Sequence, residues 1–250
     1  MPIEQTDTRP GFYRFAQDSL GPWVRRYSNL NVIGLENLPA ANQGAILACN
    51  HSGSFWWDAL CLIAGLSDRH AHFIAHHWDA KVSALKRILD MLECDFLDEH
   101  VNKIGPNSCI VQKLKAGNLM CLYPEESYHS FKQRYTLFKF SDHAVRYAEL
   151  SGAPIIPVAI IGAEEAAPTF FGPKRPNIPL HFPLHPPMIL PFQITIEFGE
   201  PQYFEATTNA PEANREESST RLRAQLHQIM CKYRDCKLSE ERYIERKSWV

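Results

Sequence analysis

Ala45-Ile46-Leu47-Ala48-Cys49-Asn50-His51-Ser52-Gly53-Ser54-Phe55-Trp56-Trp57-Asp58 is the stretch that decides how the rest is read. Five apolar residues form a short β-rich run that feeds directly into Asn50 and His51, so the imidazole is expected at a strand end. A loop of small residues follows. Then comes an acid, Asp58, at the head of an apolar run from Trp57 to Leu66 with helical spacing.

Working outward, the same alternation recurs. Upstream lies a β-rich run, Asn31-Val32-Ile33, with a turn at Glu36-Asn37-Leu38-Pro39. Downstream, His72 to Ala75 reads as a short buried strand, Lys81 to Leu92 and Asn107 to Ala116 as helices, and Leu119 to Tyr123 as a strand ended by Pro124. A helix is expected from about Phe138 to Ser151, ended by Gly152, then a strand over Ile155 to Ile161. Helices alternating with buried strands define an α/β class in a single domain. Prolines recurring between Pro168 and Pro191 predict an extended wrapping loop. Gln193 to Phe198 reads as one more strand, and Glu216 to Tyr233 as an amphipathic helix with Leu222, Leu226, Ile229 and Met230 on one face. The expected layout is an amphipathic N-terminal segment over 1–28, the main domain over 29–235, and a charged, mobile C-terminal tail over 236–250.

Composition narrows the function classes. With 250 residues, 45% hydrophobic and 22% charged, the chain is able to bury its own core. A net charge of -2 argues against a nucleic-acid partner, which needs clustered Lys and Arg. Seven cysteines, odd in number and widely spread, suit a reducing compartment. Met1 to Pro10 lacks the basic-then-apolar pattern of an export signal, so a cytoplasmic location is expected. The longest apolar stretches, Ala59 to Leu66 and Ile155 to Ala163, fall short of the roughly 18 residues of a membrane-spanning helix. Membrane contact is therefore expected to be peripheral. The candidate is Phe12 to Tyr27, where aromatics interleave with Arg14, Arg25 and Arg26 and a break is expected near Gly21-Pro22; it would rest on the inner leaflet.

The chemistry concentrates at His51 and Asp58. An imidazole accepts a hydroxyl proton near neutral pH, and a carboxylate on its other nitrogen fixes the tautomer and stabilises the imidazolium. That is a dyad without a protein nucleophile. Taken alone, a His and an Asp seven apart is more often a structural hydrogen bond or a helix cap.

The order of the surrounding motifs changes that balance. Asn50-His51 followed by Asp58 resembles the first motif of the lysophospholipid and glycerol-phosphate acyltransferase family, most often HxxxxD. Here the spacing is HxxxxxxD, similar to the bacterial, diacylglycerol-acyltransferase-like branch, and two extra residues must loop out. Leu122-Tyr123-Pro124-Glu125 resembles the FPEG block. Phe131-Lys132-Gln133-Arg134-Tyr135, with Phe138 and Phe140, resembles the KxFxxRYxLxxF stretch. Pro154 to Glu165 resembles the PVAVVGAEE strand. With Val32 to Pro39 near the start and Phe198-Gly199-Glu200-Pro201 near the end, the likeness spans roughly residues 25 to 205.

The resemblance implies a sheet of mostly parallel or mixed strands flanked by helices, with the site in a cleft at strand ends that a lipid can enter. It implies transfer of a fatty acyl group from an acyl thioester, carried by CoA or acyl carrier protein, to a hydroxyl of a lysophospholipid or other glycerolipid. His51 would be the base and Asp58 its partner, with no metal or bound cofactor. Asn50 would brace the loop, and backbone N–H groups of Ser52 and Gly53 would face the oxyanion. Glu125 would orient the loop or the acceptor, or simply accept backbone N–H bonds. Where the family block continues with Gly and a basic residue, this chain has Glu126-Ser127-Tyr128-His129. The extra carboxylate would repel a phosphate, so Lys132 and Arg134 are assigned to meet the charge or bind the phosphate; otherwise the acceptor is neutral. For Arg134 the plain alternative is a buried ion pair.

Three rival readings remain. His70, His72, His76, His77 and Asp79 are metal-ligand types, but lack the HxHxDH and HExxH spacings of metal hydrolases. A serine hydrolase is disfavoured because no GxSxG elbow is present, and Ser52 and Ser54 lie beside His51 in sequence. The altered block after Glu125 leaves a catalytically weak or inactive family member, acting as a lipid-binding module, as the third.

Overall fold

The computed structural model describes residues 11–66, 69–75, 83–96, 104–126, 129–171, 183–184, 186–205 and 212–240. In chain order, α1 (Gly11–Phe15) runs through a π-helical turn (Ala16–Leu20) into α2 (Gly21–Tyr27), followed by β1 (Asn31–Ile33), β2 (Ala45–Cys49), α3 (Trp57–Gly65) and β3 (Ala71–Ala75). Next come α4 (Ser83–Met91), β4 (Asp95–Phe96), α5 (Cys109–Lys115), β5 (Leu119–Leu122), β6 (Thr136–Leu137), α6 (His143–Ser151) and β7 (Ile155–Ile161). The remainder is α7 (Ala163–Ala166), β8 (Phe170–Phe171), β9 (Pro183–Leu184), β10 (Thr195–Phe198), α8 (Glu212–Cys231) and β11 (Lys237–Leu238).

The main sheet has seven strands in the order β1-β10-β7-β2-β5-β3-β4. Strands β7, β2, β5, β3 and β4 pair in parallel, β10 joins β7 antiparallel, and β1 pairs in parallel with β10. The mixed, mostly parallel α/β sheet is therefore present. Because β2 lies between β5 and β7 with all three running the same way, their carboxyl ends lie side by side. That geometry brings Asn50-His51, Tyr123 to Glu125 and Gly162 to Glu164 to one edge, where open α/β sheets place their ligands.

All five residues of β2 are fully buried, and alternate side chains enter opposite layers. Ala45, Leu47 and Cys49 pack with α1, α2 and α3, while Ile46 and Ala48 pack with α5, α6 and α8. Strand β7 divides in the same way, with Ile156, Val158 and Ile160 on one face and Ile155, Ala159 and Ile161 on the other. This period-two division follows from the pleat. At about 25 cal/mol per Å² of apolar area removed from water, such two-sided burial makes the central strands the main source of stability.

Several expectations are corrected. The N-terminal segment does not break at Gly21-Pro22: Pro22 occupies the first turn of α2, where a missing N–H costs nothing. Tyr13, Ala16 and Val24 belong to the core, and Gln17 Nε2 donates to the carbonyls of Ile63 and Arg69 at 3.2 Å each. Phe138 to Phe140 is not helical; α6 starts at His143. The start of the charged tail is held, not loose. Lys237–Leu238 pairs in parallel with β6, and Arg223 donates to the carbonyls of Leu137 at 3.0 Å and Ser239 at 2.6 Å. Residues 241–250 lie outside the described residues, as does most of the proline-rich stretch, in which Phe170–Phe171 and Pro183–Leu184 form a short antiparallel pair.

Candidate active site

His51 follows β2 directly, and Asp58 sits in the first turn of α3. Their side chains meet, with His51 Nδ1 2.7 Å from Asp58 Oδ2. Asp58 is fully buried. The cost of burying its charge is offset by two further donors, Ser52 N–H to Oδ2 at 3.0 Å and Ala59 N–H to Oδ1 at 2.8 Å, and by the helix N-terminus. A carboxylate accepting from Nδ1–H leaves the lone pair on Nε2, the tautomer a general base needs. The His51 ring lies against Tyr123, with centroids 4.3 Å apart.

The longer HxxxxxxD spacing is absorbed by backbone conformation. Gly53, Phe55 and Trp56 all have positive φ, at 86°, 57° and 50°, and Phe55 projects to solvent. Left-handed residues in close succession turn the chain back on itself, so that Asp58 reaches the His it would otherwise pass. At Gly53 no other residue fits: an added Cβ would come within 2.8 Å of the Ala163 carbonyl. Ser54 locks the loop, donating its N–H to Ala167 O at 2.6 Å and its hydroxyl to Pro168 O at 2.9 Å.

The Asn50 side chain ties the end of β2 to β7. It donates to Ile160 O at 2.9 Å and accepts from Ile160 N–H at 2.7 Å, bridging β2 to β7. The two oxyanion donors assigned from sequence separate. Ser52 N–H is spent on Asp58, whereas Gly53 N–H donates to nothing among the described residues. The Ser52 hydroxyl is buried without a hydrogen-bond partner among the described residues.

Glu125 is buried at the end of β5, where its Oε2 accepts Phe138 N–H at 2.7 Å and lies 3.1 Å from His129 Nε2. Its other oxygen has no hydrogen-bond partner among the described residues. Glu126 turns away in a left-handed conformation and meets His143 Nδ1 at 2.7 Å. The two carboxylates of this pair thus face His129 and His143, whereas neither Lys132 nor Arg134 contacts them among the described residues. Both of the latter are exposed. Arg134 donates to Phe131 O at 3.1 Å and lies over the Phe131 ring, so the buried ion pair is also absent.

A shallow crevice at the strand ends is lined by Asn50, His51, His129, Tyr135 and Glu164 among others, and side chains fill it so closely that it has no room for a water molecule. The expected cleft that a lipid can enter is therefore not open here; Leu137 and Met230 also line the crevice. Burial alone would lower the pKa of His129, but the charge and contact of Glu125 raise it above the ordinary 6.5. Burial pushes the Glu164 carboxyl up to about 8, so it is protonated at neutral pH. Burial also raises the Tyr135 phenol, which donates to Glu165 Oε2 at 2.6 Å.

Sequence reasoning missed His129, Tyr135 and Glu164 as site residues. Glu164 carried a signal, since it lies three residues past the end of a buried strand parallel to the one that ends at His51. His129 carried none beyond its spacing of four from Glu125. Of the histidine-rich run, His76, His77 and Asp79 lie outside the described residues; among those described, no group of three metal-ligand side chains is assembled.

The strand ends of the parallel sheet thus bring an imidazole and a buried carboxylate into contact. Residues 29–161 match the family model described as Acyltransferase, and the chain belongs to that family. It is 31% identical over 203 residues to an uncharacterized protein of Mycobacterium leprae, covering 72% of this chain and 53% of the relative. An uncharacterized protein of Mycobacterium tuberculosis is likewise 31% identical over 201 residues. The chain spans about half the length of these curated relatives, 53% in both cases. Its fold is similar to the crystal structure of the 1-acyl-sn-glycerophosphate (LPA) acyltransferase PlsC from Thermotoga maritima, with a TM-score of 0.58 and 18% identity over 90% of this chain and 80% of that one.

Proposed function

We propose that this protein transfers a fatty acyl group from an acyl thioester, on CoA or acyl carrier protein, to a hydroxyl of a lysophospholipid or related glycerolipid. The carrying observation is the 2.7 Å contact between His51 and Asp58 at the ends of parallel strands. The acceptor hydroxyl gives its proton to His51 Nε2 as its oxygen attacks the thioester carbonyl. Asp58 steadies the imidazolium, Gly53 N–H donates to the developing oxyanion, and the proton passes to the leaving thiolate as the C–S bond breaks. No residue forms a covalent intermediate.

Membrane contact is part of this reading, since both substrates carry lipid chains. No helix among the described residues is long and apolar enough to cross a membrane. Phe15, Leu20 and Trp23 are exposed on the N-terminal helical segment beside Arg14 and Arg26, which supports peripheral docking on the inner face of a bilayer.

The test is a transfer assay with acyl-CoA and acyl carrier protein thioesters against acceptors with and without phosphate. Release of free thiol that depends on an acceptor, with an acylated product, is expected. Thioester consumption that proceeds only to free fatty acid would contradict the transferase reading.

A further inference from the structure

We infer that Cys231 and Cys236 form a peroxide-sensitive pair: the exposed Cys231 thiol is oxidised first, and Cys236 then closes a disulfide that fastens strand β11 to the end of α8. The pair takes no part in the acyl transfer proposed above and stands or falls independently of it.

Cys231 is the last residue of α8 and is exposed, whereas Cys236, half-buried, comes just before β11. The chain folds back between them, with the N–H groups of Tyr233 and Arg234 donating to Met230 O at 3.0 and 3.1 Å. His227, one helical turn before Cys231, bridges the two cysteines. Its Nε2 lies 3.2 Å from the Cys236 carbonyl oxygen and 3.5 Å from Cys231 Sγ, so one nitrogen touches both residues. A carbonyl oxygen only accepts, so Nε2 carries the proton. Nδ1, 3.7 Å from the same sulfur, then holds the lone pair that takes the thiol proton. Lys232, Arg234 and Lys237 outnumber Asp235 around the turn, a setting that favours a thiolate. The Cys236 thiol is pushed up to about 12, by burial first and then by the Cys231 thiol beside it, so it keeps its proton and serves as the second sulfur to react. Cys49 and Cys121, 3.6 Å apart, are fully buried and out of an oxidant's reach.

With hydrogen peroxide as oxidant, the Cys231 thiolate attacks one oxygen and the O–O bond breaks. The departing hydroxide takes the proton held by His227 and leaves as water, with Cys231 as the sulfenic acid. Cys236 Sγ then attacks that sulfur; the S–S bond forms, the S–O bond breaks, and the thiol proton leaves with the hydroxyl as a second water. Two thiols are oxidised and one peroxide is reduced. The mechanical consequence falls on β11, which pairs with β6 through Lys237 N–H to Tyr135 O and Ser239 N–H to Leu137 O, both at 2.9 Å. So short a pairing opens locally unless it is tied down, and the disulfide ties the residue next to Lys237.

The test uses the full chain, reduced, freed of reductant, treated with hydrogen peroxide and then blocked with an alkylating agent. Trypsin cuts after Lys232 and Arg234, between the two cysteines, so the disulfide should appear in a non-reducing digest as Ala224–Lys232 joined to Asp235–Lys237, two hydrogens lighter than the free peptides together. Dithiothreitol should separate them. Hydrogen exchange at the Lys237 and Ser239 amides should slow several-fold in the oxidised protein and recover on reduction. In Cys231→Ser neither the linked peptides nor the slowing should appear, at the thermal midpoint of the reduced wild type. In His227→Gln the linkage should form several-fold more slowly. Three results overturn the inference: Cys236 recovered alkylated while Cys231 is oxidised further or joined to a second molecule, a pair that stays reduced under peroxide, or linkage that leaves exchange at Lys237 and Ser239 unchanged.

Discussion

Asp58 Oδ2 lies 2.7 Å from Nδ1 of His51 and also accepts the N–H of Ser52, the residue after that histidine. One carboxylate oxygen thus fixes both the ring and the loop that carries it. In Asp58→Asn the amide must place its oxygen or its NH2 at this position. An NH2 would clash with the Ser52 donor and impose the tautomer with the proton on Nε2, which is no base. The expected result is a fall in kcat of about 100-fold or more, with KM little changed, measured by steady-state transfer assay.

Asn50 and Ile160 exchange two buried hydrogen bonds across β2 and β7. Asn50→Ala leaves a buried N–H and C=O of a central strand unpaired, at a cost of about 2–4 kcal/mol. Chemical denaturation should report this as a lower midpoint with an unchanged slope.

Glu164 gives the protein a pH-dependent stability. Folded, it keeps its proton up to about pH 8, whereas its ordinary pKa is 4.5. The folded state therefore binds more protons between those values, and stability falls as pH rises through that window. His129, raised above 6.5, adds to the fall at the upper end. Glu164→Gln should reduce the loss of stability between about pH 5 and about pH 8 by on the order of 1–3 kcal/mol, read from thermal midpoints across that range.

Peripheral docking is testable without truncation. Removing residues 1–28 would strip Tyr13 and Val24 from the core and unfold the domain. Phe15→Ser with Trp23→Ser changes two exposed aromatics instead. Flotation with liposomes containing anionic lipid should fall several-fold while the thermal midpoint holds. Undiminished flotation would exclude this surface.

The strands were legible because β2 and β7 are continuous apolar runs with no competing helical period, and β2 delivers His51 to its place. The motif order made the pairing with Asp58 legible too, although seven-residue spacing alone does not reveal three left-handed residues closing the loop. Helix α6 was misread at its start, where the N–H of Phe138 is committed to the Glu125 side chain and the chain stays extended to Phe140. That bond joins residues 13 apart and has no local signature. The same holds for His129: its surroundings are assembled from β5, β7 and α8, and tertiary convergence leaves no mark on a four-residue spacing. Short strands β6 and β11 were invisible, since two-residue pairings carry no periodicity.

The most direct measurement is acyl transfer by His51→Ala beside wild type, with circular dichroism and thermal midpoints confirming that both are folded. Loss of a positioned base predicts a fall in kcat of about 100-fold or more at an unchanged fold. A folded His51→Ala protein that transfers at the wild-type rate would contradict the role given to this imidazole and its carboxylate partner.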